Sequence, residues 1–73
     1  MRKTKVISAL KAQALADKEK ALMSLDLLEN LGVGIGDHTA NDFLADATES
    51  LRLLADAEDR LEMIERYFNE QTR

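Results

Sequence analysis

The 73-residue chain has no cysteine, no proline and one histidine, His38. Without cysteine there are no disulfides or thiolate metal sites, and one histidine cannot build a zinc knuckle or a His-rich cluster. The lack of proline removes the commonest interior helix breaker. Glycine occurs three times, all in one place, at Gly32, Gly34 and Gly36, so the chain is punctuated once. Long hydrophobic runs are missing too. The longest uncharged stretch, 30–36, is seven residues, where a membrane span needs about 20 apolar ones. Met1 to Lys5 followed by Val6 to Leu10 imitates the start of a secretory signal, but Lys11 interrupts the apolar run and no small-residue cleavage site follows. The expectation is a cytoplasmic chain with no transmembrane segment.

What is present is helix composition. Ten alanines and twelve leucines dominate the apolar set, whereas β-branched and aromatic residues are scarce. A chain this short buries too little surface to be comfortably stable alone, and with disulfides and thiolate metal sites excluded the remaining remedy is oligomerisation. Charge divides by halves. Residues 1–36 carry six bases and four acids, and residues 37–73 carry four bases and ten acids, giving a net −4. An acidic second half argues against nonspecific nucleic-acid binding through that surface.

The glycine cluster separates two segments, about 4–31 and 39–70, each long enough for about eight helical turns. Gly32 suits a left-handed C-terminal cap with Val33 touching Leu28, as in a Schellman motif. Thr39, with Asp42 three residues on, suits a capping box for the second helix, and Asp37 and Asp42 favour its positive end. The connection 32–38 has the length usual between antiparallel neighbours. An all-α fold is expected: one domain over 1–73, an antiparallel two-helix hairpin that dimerises into a four-helix bundle.

In the second segment Ala40, Phe43, Ala47, Ser50, Leu54, Ala57, Leu61, Ile64 and Phe68 alternate spacings of three and four, a coiled-coil seam. Ile7, Leu10, Ala14, Ala21, Leu25, Leu28 and Leu31 share a face of the first. Folding about residue 35 or 36 pairs Ile7 with Ile64, Leu10 with Leu61, Ala14 with Ala57, Ala21 with Ser50, Leu28 with Phe43, and Leu31 with Ala40. Leu54 and Leu61 are expected among the most buried side chains. Leu54 faces Asp17 and Lys18, a weak layer in which Lys18 snorkels and Asp17 lies at the margin.

Apolar residues remain beyond the seam. Leu15, Leu22, Leu25, Leu44 and Leu51 form a flanking stripe, and Ala9, Ala12, Ala16, Met23 and Leu27 form a row on the back of the first helix. Contiguous apolar surface of this kind marks an interface, so Leu15, Leu22, Leu25, Leu44, Leu51, Met23 and Leu27 are the candidate interface residues. The partners expected are a second copy and another protein, for which the chain would be a regulator, inhibitor or assembly factor.

The residues give little support to catalysis. Gly32 to Gly36 has a phosphate-loop look, but it follows a helix, lacks the P-loop lysine and hydroxyl, and runs into Asp37. His38 beside Asp37 has no nucleophile around it. Asp56, Glu58, Asp59, Glu62 and Glu65 lack the Glu-x-x-His spacing of di-iron bundles and read as a solvated face with local ion pairs to Arg60 and Arg66. No enzyme, metal or cofactor is expected. Arg2, Lys3, Lys5 and Lys11, with no acid before Asp17, form a basic arm that offers contacts to phosphates or an anionic membrane surface. The acidic second helix offers a docking face for a basic partner.

In size, antiparallel layout and alternation of small with large core layers, the chain resembles the Rop family of plasmid-copy-number regulators. The resemblance implies hairpins that dimerise into a four-helix bundle and bind RNA loops through polar, basic and aromatic residues of the first helix. Lys11, Gln13, Lys18 and Lys20 stand available here, but this first helix has no aromatic residue to stack on a base. The family's function is therefore not carried over. RNA or DNA binding through the basic N-terminal region is the alternative to a protein-interaction module. Size and acidic, cofactor-free style are also of a kind found among phage and plasmid accessory proteins.

Overall fold

The computed structural model describes residues 5–31 and 37–68, with side chains for 5–30 and 41–68. Helix α1 spans Lys5–Leu31 and helix α2 spans Asp37–Phe68, and the two pack against each other as a hairpin. At about 1.5 Å per residue they are roughly 40 and 48 Å long. The molecule is accordingly a rod of 56 × 17 × 14 Å. Neither helix is long and apolar enough to cross a membrane.

Helix α2 begins two residues before Thr39, which therefore lies inside the first turn and does not cap it. An acidic residue type suits the first turn of a helix, where the dipole is positive. The proposed cap at Gly32 and Val33 falls outside the described residues, as do the side chains of the Leu31 and Ala40 layer. Toward its other end α2 stops at Phe68, with Arg66 in the last turn, where a cation suits the negative dipole end.

The core differs from the expected one in a physically instructive way. Among the described residues the fully buried ones are Ala14, Ala21 and Ala57, each with no exposed surface, and no large side chain is fully buried. Leu54 and Leu61 are only half-buried, as are Ile7, Leu25, Leu28, Phe43 and Ile64. Leu10, expected against Leu61, is 46% exposed. A helix packed against one neighbour is covered from one direction. Alanine ends within that cover, whereas the branches of a leucine overhang the contact and meet water on the open sides.

The consequence shows in the global dimensions. The radius of gyration is 16.5 Å, against about 11 Å for a compact domain of this length. Accessible surface is 5759 Å², where size scaling for a compact protein of this mass gives about 4,500 Å². The single chain thus leaves about 1,200 Å² more surface in water than a compact protein of equal mass.

These contacts rank substitutions in an unusual order. Ala14→Leu and Ala57→Leu should each cost about 1 to 3 kcal/mol, because a larger side chain forces the helices apart where they touch. Leu10→Ala should cost less than about 1 kcal/mol, since much of that side chain is already solvated. Urea unfolding of the three variants checks the order, and a Leu10→Ala loss exceeding both alanine replacements would contradict it.

Candidate functional site

The two helices meet along the seam, and the residues one step either side of it give the hairpin two unlike sides. At about 100° per residue, the residue after a seam position projects to one side of the pair and the residue before it to the other. In an antiparallel pair these sides coincide between helices. The residues following Ala14, Ala21, Phe43 and Ser50 are Leu15, Leu22, Leu44 and Leu51, which are 43, 42, 62 and 57% exposed. Those preceding Ala14, Ala21, Phe43, Ser50 and Ala57 are Gln13, Lys20, Asp42, Glu49 and Asp56, all polar and exposed.

Ion pairs confirm this sidedness. Lys18 Nζ lies 3.2 Å from Glu58 Oε2 on the leucine side. Arg60 Nη2 donates to Asp17 Oδ2 at 2.8 Å on the polar side, and Arg60 Nε donates to Asp56 Oδ2 at 3.0 Å. Asp17 and Lys18 are consecutive, so they leave α1 in different directions and each finds an opposite charge on α2. The weak layer around Leu54 is thereby bracketed by a charge pair on each flank. The guanidinium of Arg60 is held above its ordinary pKa, chiefly by its hydrogen bond to Asp17, with partial desolvation opposing and the charge of Asp56 adding. An arginine keeps its charge in any case, so salt and not alkali is the way to weaken these contacts. Further along α2, Arg66 Nη2 donates to Glu62 Oε2 at 2.8 Å, again with the acid four residues N-terminal to the base.

Among the described residues, shallow grooves follow the helix junction. One of about 620 Å³ on the leucine side is lined by Lys18, Ala55, Glu58, Asp59, Leu61, Glu62 and Glu65. Two on the polar side, about 460 and 420 Å³, share Ser24, Glu49 and Ser50. Among the described residues no group of three or more His, Cys, Asp or Glu side chains is arranged to hold a metal ion.

The seven candidate interface residues do not form one surface. Leu15, Leu22, Leu44 and Leu51 share a side. Leu25 is half-buried between the helices, Met23 lies on the back of α1 at 59% exposure, and Leu27, 52% exposed, lines a polar-side groove. Of the basic arm, Lys5 and Lys11 are exposed on α1, about 120° apart around its axis, while Arg2 and Lys3 lie outside the described residues. Asp37 and His38 are in the first turn of α2, their side chains outside the described set. The pairing of Asp17 with Arg60 was not foreseen. The signal was the reach of an arginine four residues after Asp56 toward an acid at the seam's edge.

No family model, curated protein or solved structure matches the chain.

The charge contacts make a testable unit. Arg60→Gln removes both of its carboxylate contacts and should lower the melting temperature at low ionic strength, with the difference from the parent shrinking in 1 M salt. A deficit that does not change with salt would mean that Arg60 acts through its aliphatic packing instead.

Proposed function

We propose that the chain is a small homo-oligomeric helical interaction module that works by binding another protein, not by catalysis. Two hairpins pack as a four-helix bundle with their leucine sides together. The observation that carries this reading is that Ala14, Ala21, Phe43 and Ser50 are each followed by an exposed leucine on one side of the hairpin and preceded by a polar residue on the other. Polar residues on both flanks would serve a hairpin that stands alone. Four leucines on one flank keep apolar surface in water unless something covers it.

A second copy is the occupant that the dimensions favour. The surface excess of about 1,200 Å² per chain exceeds the roughly 800 Å² that each partner buries in a standard interface. An identical leucine side is also self-complementary, as a two-fold contact requires. Once it is covered, Met23, Leu27 and the acidic face of α2 remain outside, and they are the surfaces on which a different protein would be regulated, inhibited or assembled.

Sedimentation velocity at micromolar concentration tests the reading. The parent chain should sediment as a dimer. Leu22→Glu combined with Leu51→Glu places like charges opposite one another and should give monomers that unfold more readily on dilution. A cooperatively folded 8.2 kDa monomer of the parent chain would remove the proposal.

A further inference from the structure

We infer that pairing of the leucine sides is opposed by like charge and is therefore set by ionic strength, the copies joining in concentrated salt and parting in dilute salt. This rests on the self-association proposed above and adds what regulates it.

The leucine side carries more than leucine. At about 100° per residue, Glu19, Asp26 and Glu29 on α1 and Glu58, Glu62 and Glu65 on α2 each lie within about 40° of Leu15, Leu22 or Leu51 around the helix axis. All six are exposed. The bases on the same side are Lys11 and Lys18. Between Lys20 and Arg52, the stretch that contains Leu22, Leu44 and Leu51, the sequence has six acids and no base.

Two of these carboxylates already have a cation within the hairpin. Lys18 Nζ lies 3.2 Å from Glu58 Oε2, and Arg66, which projects toward the back of α2, donates to Glu62 at 2.8 Å. Lys11 is then the base left on this side for Glu19, Asp26 and Glu29. Two copies bring two such lysines to the six carboxylates from those three positions, and no way of turning one copy on the other changes that ratio. Asp26 and Glu29, three residues apart on one helix, are also like-charged neighbours before any partner arrives. Every packing of leucine side on leucine side therefore gathers unmatched negative charge and removes part of it from water, on top of the net −4 that each chain carries.

The reach of that repulsion depends on salt. The screening length is about 30 Å at 0.01 M and about 8 Å at 0.15 M. The rod measures 17 by 14 Å across, so in dilute salt the carboxylates of the two leucine sides all act on one another. In concentrated salt only near neighbours do, and apolar adhesion prevails. The contacts of Arg60 and Lys18 inside one hairpin respond in the opposite sense, because they join unlike charges. Association depends on protein concentration and these internal contacts do not, so the two effects separate in one titration.

Sedimentation equilibrium of the parent chain in sodium chloride checks the inference. The dimer Kd should fall about tenfold or more between about 10 mM and about 0.5 M salt, the range over which screening takes hold. Asp26→Asn combined with Glu29→Gln alters two exposed side chains of α1, and should pair more tightly than the parent in dilute salt with a shallower dependence. Glu19→Gln combined with Asp26→Asn should act in the same direction, and decides the matter if the first variant fails to fold. A Kd that rises with salt, or does not change, overturns the inference and leaves self-association standing. So does an equal salt dependence in the parent and both variants, which would reflect general salting-out of apolar surface. A folded monomer at every salt concentration removes self-association and its regulation together.

Discussion

Two helices that have only each other can hide alanine and little else. That geometric limit governs the molecule. Ala14, Ala21 and Ala57 vanish from solvent because they are short enough to end inside the contact, and their shortness lets the helices approach closely. Every longer apolar side chain among the described residues is left with a solvated flank. The excess surface, the extended shape and the leucine side are three expressions of the same limit.

The hairpin was legible in the sequence because its signals were local and redundant. One glycine cluster, no proline and a spacing of three and four in each half all pointed to the same two helices, and α1 and α2 lie within two residues of the expected bounds at each described end. The depth of burial was not legible. Periodicity says which way Leu54 and Leu61 face, but how far they are covered depends on the number of neighbours, and a two-helix unit supplies one. Thr39 misled for a related reason. A capping-box pattern identifies a residue able to start a helix, and α2 starts two residues earlier, at Asp37. Of the expected flanking stripe, Leu25 turns into the seam while Leu15, Leu22, Leu44 and Leu51 share one side. Leu27 and Met23 differ from Leu22 in rotation about the helix, and only the position of α2 shows which rotation counts.

Charge supplies what the apolar seam lacks, a definite register. A seam repeating at three and four offers alternative alignments one turn away that cost the alanines little. Asp17 and Lys18 sit side by side in sequence and clasp Arg60 and Glu58 on opposite flanks of the seam. Sliding the helices by a turn, about 5.4 Å, separates both pairs together. Exposed pairs of this kind add little to stability singly, so their weight lies in distinguishing alignments that packing alone treats as nearly equal.

The alanine contacts also bear on how such a chain can drift over generations. At Ala14, Ala21 and Ala57 the limit is an upper bound on volume with no demand for a particular chemistry, so glycine or serine fits where valine does not. Descendants of this sequence would keep a ladder of small residues at those steps while the surrounding letters changed. Their kinship would be carried by a rhythm of sizes along the rod more durably than by any shared motif.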